Sequence, residues 1–172
     1  MKKNRISKNW INKQKRDIYV TEAKWQGYRS RSAFKLLEID QKFNFLSNSK
    51  LLLDLGSTPG GWSQVASKKI KNGKILSVDT REMLPIHNTT FLQGDLTNLE
   101  TQNNIIKFFN RKIDIMVSDM AVNTTGNKEL DSIRTGNLCL NALSFSRKIL
   151  NYKGVFISKI FMGSIFEEIR IK

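Results

Sequence analysis

Short apolar runs alternate with longer stretches of helical periodicity through most of the chain. The apolar runs, rich in Leu, Ile and Val, predict buried strands at 51–55, 74–79, 90–93, 112–119 and 154–161. Apolar residues that recur every three or four positions predict helices at 17–28, 33–43, 62–71, 99–110, about 130–150 and 164–172. This alternation predicts an α/β fold with a mainly parallel sheet and helices on both faces. In such sheets, ligands bind beyond the carboxyl ends of the strands, near the point where strand order reverses.

The 172 residues are expected to form one domain preceded by a short arm. Residues 1–16 contain no acidic residue and are rich in Lys and Asn, so we assign them to a basic N-terminal arm rather than a mitochondrial presequence. Residues 17–172 contain no repeat and no low-complexity linker, which indicates a single domain. Within it, Ser30 or Ser32 is the expected N-cap of the helix at 33–43.

A glycine-rich turn follows the first strand directly. The sequence Gly56-Ser57-Thr58-Pro59-Gly60-Gly61-Trp62 separates this strand from a helix. Glycines at such a junction let the backbone approach a ligand, and the helix N-terminus directs N–H groups toward it. The spacing excludes the G-x-G-x-x-G dinucleotide fingerprint, and the lack of G-K-[ST] excludes a P-loop. A nucleoside cofactor without a polyphosphate, such as S-adenosylmethionine, remains. The alternative is a turn that merely packs the strand against its helix.

Three aspartates follow or end neighbouring predicted strands. Asp79 ends the second strand, Asp95 follows the third, and Asp119 ends the fourth. An acid in the first of these positions can accept hydrogen bonds from both ribose hydroxyls, and one in the second can accept from an adenine amino group. Each aspartate alone is also explained as a cap of the following turn. Because all three lie at the sheet edge that holds the glycine turn, capping alone is a weaker explanation for the set than for any one of them.

Two motifs resemble those of the FtsJ (RrmJ) family of ribosomal RNA 2′-O-methyltransferases. The first is D-L-G-x-x-P-G-G-W-S-Q at residues 54–64, and the second is R-S-R-x-x-F-K-L at residues 29–36. The resemblance, which extends from about residue 17 to the end of the chain, implies a Rossmann-like S-adenosylmethionine-dependent methyltransferase fold. The cofactor contacts that it implies are Gly60, Trp62, Asp79, Asp95 and Asp119. For Trp62, simple packing against the sheet remains an alternative.

The same resemblance implies that Lys35, Asp119 and Lys159 take part in catalysis. Lys35 lies in the second motif, Asp119 opens D-M-A-V-N, and Lys159 lies in the last predicted strand. Val122 replaces a proline that the family usually has, which predicts a less rigid loop. Strand alternation places Lys159 on an apolar face, where a charge is costly unless it is paired or lies at a cleft mouth. The alternatives are a surface position for Lys35 and a lysine that extends from a strand end to solvent for Lys159.

The reaction expected of this site is methyl transfer from S-adenosylmethionine to a ribose 2′-hydroxyl of RNA. Such a hydroxyl is a poor nucleophile, so the enzyme must align it with the methyl group and help to remove its proton. Lys159 is the candidate base or proton acceptor, and Asp119 is expected to orient the lysine and the hydroxyl. The likeness to the family favours a uridine of 23S-type large-subunit ribosomal RNA, while transfer RNA remains an alternative substrate.

The net charge of +14 favours a polyanionic partner, RNA or the ribosomal subunit. Residues 1–50 contain 13 basic and 4 acidic residues, so most of the excess precedes the glycine turn. A solvated basic surface is the alternative. The single Cys139 fits a reducing, cytoplasmic location. No cluster of metal-ligand spacing and no membrane-spanning run is found, so we expect neither a metal nor a membrane contact. We also expect the protein to be a monomer.

The end of the chain departs from the family pattern. The resemblance implies a further active-site glutamate in a final strand pair, and Glu167 and Glu168 do not match its position. We therefore expect a C-terminally incomplete domain in which the last strand pair is missing and activity is weak. One alternative is a catalytically impaired RNA-binding ribosome-assembly factor that keeps the fold and the cofactor pocket. Another is a methyltransferase for a small molecule or a protein, against which the basic arm argues.

Overall fold

The computed structural model describes residues 18–171, so the basic arm predicted at residues 1–16 lies outside the described residues. This part contains the helices α1 (Ile18–Trp25), α2 (Ser32–Phe43), α3 (Gly61–Lys69), α4 (Leu99–Phe109), α5 (Lys128–Ile149) and α6 (Ser164–Ile171). It also contains the strands β1 (Leu51–Leu55), β2 (Lys74–Asp79), β3 (Thr90–Gln93), β4 (Ile113–Ser118) and β5 (Leu150–Ser158). The α/β fold expected from the alternating pattern is confirmed.

The five strands form one parallel sheet in the order β3-β2-β1-β4-β5. The chain builds outward from β1 through β2 to β3, and then crosses back to add β4 and β5 on the other side. Strand order therefore reverses between β1 and β4, which is where a ligand crevice is expected. In this described sheet β5 is an edge strand, paired with β4.

Apolar cores cover both faces of the sheet. On one face, Leu52, Ile75 and Ile115 pack with residues of α2 and α3. On the other, alternate residues of the same strands, including Leu53 and Leu76, pack with residues of α4 and α5. Successive side chains of a strand point to opposite faces, so a strand buried on both faces requires the nearly continuous apolar run that the sequence shows.

The last strand begins and ends earlier than predicted. It covers Leu150–Ser158 rather than residues 154–161, because Leu150 already pairs with Ile113. Between the pairs Ile113–Leu150 and Ile115–Val155, β4 advances two residues and β5 advances five, so the polar segment 151–154 bulges. Lys159 therefore follows the strand, and the prediction that it lies on an apolar strand face is wrong.

Helix α2 begins without the expected serine cap. Arg31 occupies the N-cap position and makes no side-chain capping bond. The hydroxyls of Ser30 and Ser32 lie 2.7 Å apart and hydrogen-bond with each other. Neither serine caps the helix, because the two hydroxyls satisfy each other instead of the backbone N–H groups of the first turn.

Helix α1 ends at Trp25, three residues before the predicted end. Gly27 has φ +74°, and its N–H donates to the carbonyl of Lys24 at 3.2 Å. The N–H of Tyr28 donates to the carbonyl of Ala23 at 2.7 Å. This pair of bonds is a Schellman motif, in which a glycine in the left-handed region closes the helix.

Candidate active site

The candidate site is a cavity of about 610 Å³ at the carboxyl ends of the central strands. It lies where strand order reverses, as expected for this class of sheet. Its walls are formed by Leu55, Gly56, Thr58, Val78, Asp79, Thr80, Arg81, Gly94, Asp95, Leu96, Asp119, Met120, Ala121, Asn123, Leu138 and Lys159. We call it the first cavity.

The glycine turn brings backbone to the wall of the first cavity. Gly56 has φ +71°, and a Cβ there would lie 2.7 Å from the Cα of Met120. The N–H groups of Gly56 and Ser57 donate to the carbonyl of Val78 at 2.9 and 3.2 Å. Glycine is needed at position 56 because the turn passes against the loop after β4 in a conformation that favours glycine.

Gly60 has a structural role at the start of α3 and does not line the first cavity. It is the N-cap of α3 with φ +116°, and a Cβ there would lie 2.6 Å from Cδ1 of Ile86. A side chain at this position would therefore meet protein atoms. Cofactor contact by Gly60 stays a prediction from the motif.

All three predicted cofactor aspartates line the first cavity, and two of them, Asp79 and Asp95, also hold neighbouring turns. Asp79 is buried, and its carboxylate accepts from the N–H groups of Thr58 and Arg81, both at 2.9 Å. The bond from Thr58 ties the glycine turn to the end of β2. Asp95 is exposed at the rim, where Oδ1 accepts from the N–H and the hydroxyl of Thr97, both at 2.8 Å. Each carboxylate thus braces its own turn and faces the cavity as well.

Asp119 and Lys159 meet at the wall of the first cavity. The side-chain ammonium of Lys159 donates to the carboxylate of Asp119 and, at 3.1 Å, to its backbone carbonyl. Backbone bonds hold both residues: Asp119 N–H donates to Leu55 O at 3.0 Å, and Lys159 N–H donates to Ser118 O at 2.9 Å. The two side chains are 19% and 23% exposed, so the pair is partly shielded and still reachable from the cavity.

A buried polar group lies directly beneath the glycine turn. Asp54 of β1 accepts a 2.5 Å bond at Oδ2 from Ser63, whose hydroxyl is 2.7 Å from that of Ser77. Burial, opposed by the bond from Ser63 and reinforced by the charges of Asp119 and Asp79, raises the pKa of Asp54 to about 7. Among the described residues, Oδ1 of Asp54 has no hydrogen-bond partner.

The loop after Asp119 is fastened at its far end by a buried carboxylate. Asp131 accepts from the N–H and the hydroxyl of Thr125, both at 2.8 Å, and from Gly126 N–H at 3.3 Å. The bond from Thr125 N–H, together with these other donors and the charge of Arg134, lowers the pKa of Asp131. The loop that carries Val122 thus has an anchor that the sequence analysis missed.

The structure places Trp62 and Lys35 outside the first cavity. Trp62 is 4% exposed in the core under α2 and α3, and its indole N–H donates to Ser32 O at 2.8 Å. This matches the packing alternative for Trp62. Lys35 is exposed on α2 and lines neither the first cavity nor the neighbouring cavity that Asp119 also lines. Cofactor contact by Trp62 and catalysis by Lys35 stay predictions.

A second cavity, of about 520 Å³, adjoins the first at Asp119. It is lined by Val20, Ala23, Lys24, Tyr28, Arg29, Ser30, Arg31, Ser32, Pro59 and Asp119. Three of these residues are basic, and Asp119 supplies the acidic group. One carboxylate therefore faces both spaces, so a group bound in one lies next to a group bound in the other.

Arg29 links the wall of the second cavity to the loops around the glycine turn. Its guanidinium donates to the carbonyls of Leu84 and Pro85 at 2.6 and 2.7 Å, and more weakly to Pro59 O at 3.3 Å. Its backbone N–H donates to the side chain of Gln64 at 2.8 Å. Arg29, the first of the two arginines in the second motif, thus fastens these loops to one another, a role that composition and periodicity do not reveal.

The first cavity fits a nucleoside cofactor. Gly56 supplies a wall in which any Cβ would clash, and Asp79 and Asp95 supply carboxylates, which are hydrogen-bond acceptors. Ser57, beside Gly56, has a buried hydroxyl without a hydrogen-bond partner among the described residues. Within residues 18–171 no group of three or more metal-ligating side chains occurs. In that same range no helix has the length and apolar character needed to cross a bilayer.

Comparison with known proteins agrees with this geometry. Residues 28–171 match the family described as FtsJ-like methyltransferase. The chain is 54% identical to the ribosomal RNA large subunit methyltransferase E of Pelagibacter ubique, over 98% of this chain and 83% of that protein. It is 47% identical to the protein of the same name from Rickettsia akari, over 95% of this chain and 74% of that protein.

Solved structures give the same result. A protein described as a ribosomal RNA methyltransferase from Plasmodium falciparum has a TM-score of 0.77 and 35% identity, covering 84% of each chain. The MycE methyltransferase of the mycinamycin pathway, solved with Mg and SAH, has a TM-score of 0.51 at 17% identity. The latter similarity concerns the fold alone, whereas the former extends to sequence.

Proposed function

This chain belongs to the FtsJ-like methyltransferase family, and we propose that it transfers a methyl group from S-adenosylmethionine to a ribose 2′-hydroxyl of RNA. The proposed substrate is a uridine of large-subunit ribosomal RNA. Support for the substrate class comes from the names of its relatives and from the charge of +14. The proposal keeps the monomer and the cytoplasmic location expected from the sequence.

The observation that carries the proposal is the Asp119–Lys159 pair at the border of the two cavities. The first cavity has the carboxylates and the bare backbone that a nucleoside needs. The second has the basic lining that an RNA strand needs. Because Asp119 lines both, a ribose entering through the second cavity comes next to whatever the first cavity holds.

In the first cavity, the proposed cofactor contacts divide by chemistry. Because both residues line this cavity, we assign Asp79 to the ribose hydroxyls and Asp95 to the adenine amino group. S-adenosylmethionine, when bound, supplies an electrophilic sulfonium methyl. Gly56 keeps the wall open for the nucleoside, because any side chain would displace the loop after β4.

The contribution of Lys159 and Asp119 is orientation and proton handling. An ammonium has three N–H donors, and among the described residues the contacts of Lys159 to Asp119 use two of them. The third is available to the acceptor hydroxyl and fixes its oxygen in place. When Lys159 is neutral, its lone pair accepts the hydroxyl proton, and a positioned base of this kind typically contributes about 10²–10⁴ in rate. Asp119 holds the lysine in both states.

The test is methyl transfer from labelled S-adenosylmethionine to three substrates: naked large-subunit ribosomal RNA, intact large subunits and transfer RNA. A 2′-O-methyl group blocks alkaline cleavage of the RNA at the modified nucleotide, which locates the product. We expect the wild type to label ribosomal RNA or ribosomal subunits, and we expect the Lys159→Ala variant to leave them unlabelled. If only transfer RNA became labelled, the proposed ribosomal RNA substrate would be wrong and transfer RNA would take its place. RNA binding without transfer would support the catalytically impaired assembly factor.

A further inference from the structure

A third cavity, of about 500 Å³, lies at the amino ends of the strands, on the sheet edge opposite the first cavity. Its lining includes residues that precede or begin β1, β2 and β4. Strands rise about 3.3 Å per residue, so Lys50 and Gly56, which flank β1 at its two ends, lie roughly 20 Å apart. The third cavity is therefore separate from the candidate active site.

The basic residues of the third cavity are open to solvent. Lys50, Lys74 and Arg111 line it, and all three are exposed. In the described part of the chain, no ion pair or side-chain hydrogen bond is found for Lys50 or Arg111. The ammonium of Lys74 lies 5.8 Å from the centroid of the Phe108 ring. These cations differ from Arg29 of the second cavity, whose guanidinium binds backbone carbonyls, and they are available to an external anion.

The acidic residue of this lining, Asp114, is held by the protein itself. Its Oδ2 accepts from the N–H groups of Lys50 and Leu51 at 2.8 and 3.0 Å, and its Oδ1 accepts from the side-chain amide of Asn151 at 2.9 Å. Within residues 18–171 no ion pair joins Asp114 to a basic side chain of the cavity. Three basic residues and one acidic residue give the lining a formal charge of +2, which is also the balance in the second cavity.

Helix C-termini alone do not account for these cations. Helices α3 and α4 end at this edge, and Lys68, Lys69 and Lys107 in their last turns are the residues expected to balance the helix dipoles. Lys50 and Lys74, in contrast, precede β1 and begin β2. Their positions add positive charge to the edge beyond what the helix ends require.

We infer that the third cavity binds phosphates of a second segment of the RNA substrate, away from the acceptor nucleotide. The inference rests on the proposed function for the class of ligand, because RNA is the polyanion that the active site requires. Arginine binds phosphate through paired N–H donors and lysine binds it as a point charge. The exposed side-chain amides of Asn48 and Asn72, which also line the cavity, add donors. A large RNA reaches both edges of the sheet, whereas a strand of a few nucleotides bound at the active site does not.

The experiment measures the salt dependence of RNA binding for the wild type and for the double variant Lys50→Ala/Arg111→Ala. One probe is protein-free large-subunit ribosomal RNA, and the other is a short single strand that carries only the methylated nucleotide and its nearest neighbours. With the large RNA, the loss of two phosphate contacts should reduce the slope of log K against log salt by roughly 1.4–1.8. With the short strand, the slope should be unchanged.

Two control variants separate the position of the charge from its amount. Lys107→Ala/Lys128→Ala removes two exposed lysines that line none of the three cavities, so it has the same net charge as the test variant and should keep the wild-type slope. Lys50→Arg/Arg111→Lys keeps both charges and should also keep most of the slope. Binding of S-adenosylmethionine should be unchanged in every variant, which shows that the fold and the first cavity remain intact.

Three results would overturn the inference. Equal slopes for the test variant and Lys107→Ala/Lys128→Ala would make the third cavity a solvated charged surface. Equal losses with the large RNA and the short strand would show that these residues contact the acceptor segment itself. A loss seen with intact ribosomal subunits and not with protein-free RNA would assign the surface to a protein partner. If the wild type binds the large RNA but methylates none, the proposed function fails, and the salt slopes still decide the inference.

Discussion

Lys159 reaches back 40 residues to hold both the backbone carbonyl and the carboxylate of Asp119. The two residues follow adjacent parallel strands, and the bond from Lys159 N–H to Ser118 O continues the ladder between them. A single lysine thus fixes the carboxylate and the start of the loop that carries it.

Lys159→Ala should lower the single-turnover rate of methyl transfer by about 10²–10⁴, because it removes the proposed proton acceptor. Affinity for S-adenosylmethionine should change much less, since the role is realised in the transition state. Asp119→Ala should reduce both quantities, because Asp119 lines both cavities. Rapid-quench methyl transfer and calorimetry measure the two effects. A Lys159→Ala rate within a few-fold of wild type would require another base.

Gly56→Ala should abolish or greatly weaken binding of S-adenosylmethionine. Its Cβ would meet the Cα of Met120 at 2.7 Å and push the loop after Asp119 into or away from the cavity. Gly126→Ala is the matched control, because Gly126 also has a positive φ but a Cβ there has open space. The control should cost only the conformational strain of about 1 kcal/mol and keep its affinity within a few-fold. Equal affinities by calorimetry would contradict this role of Gly56.

The stability of the protein should fall as pH rises from about 4 to about 7, to the extent that Asp54 controls it. In the folded state the pKa of Asp54 is raised to about 7 from 3.8, so in this window the folded protein binds a proton that the unfolded chain has lost. Stability therefore decreases with rising pH and levels off above the folded pKa. Asp54→Asn should remove this slope in thermal melts at pH 5 and pH 8. A variant with the wild-type slope would assign it to other groups.

Asp131→Asn should loosen the loop between Asp119 and α5. The amide keeps one acceptor oxygen and replaces the other with a donor, so the bonds from Thr125 and from Gly126 N–H cannot all survive. Faster hydrogen exchange at these two amides is the expected result, accompanied by slower methyl transfer. Because the folded state lowers the pKa of Asp131, its contribution to stability is present above the unfolded pKa and is lost as the pH falls. Thr125→Val, which keeps the N–H, should have a smaller effect.

Removal of residues 1–16 should flatten the salt dependence of RNA binding. The segment contains seven basic and no acidic residues. Each lost phosphate contact should reduce the slope of log K against log salt by roughly 0.7–0.9. Filter binding at several salt concentrations measures it, and an identical slope with and without the segment would refute the assignment as an RNA-binding arm.

Periodicity predicted the sheet well because its central strands β1, β2 and β4 are buried over nearly their whole length. Strands β2 and β3 have the bounds expected from the sequence, since a polar or charged turn follows each apolar run directly. The start of β5 was missed because Asn151, Tyr152 and Lys153 are polar or exposed and bulge from the ladder. A local pattern cannot show that Leu150, before this bulge, already pairs with Ile113.

The sequence predicted the position of a site residue only where that residue follows or ends a strand of the sheet. Asp79, Asp95 and Asp119 share one wall because carboxyl ends of parallel strands meet at one edge. The anchoring role of Asp131 and the clamp made by Arg29 depend on contacts between segments distant in space, for which no spacing rule exists. The motif likewise could not show that Trp62 turns its indole N–H toward Ser32 and away from the cavity.

Since Asp119 lines both cavities, the proposed cofactor and the proposed RNA meet at one carboxylate, and we expect their binding to be thermodynamically linked. Any change that one ligand imposes on the position or charge of this carboxylate alters the surface that the other ligand meets. Linkage is reciprocal, so the factor by which the cofactor changes RNA affinity equals the factor by which RNA changes cofactor affinity. One coupling constant therefore describes both effects, and a measurement from either side determines it.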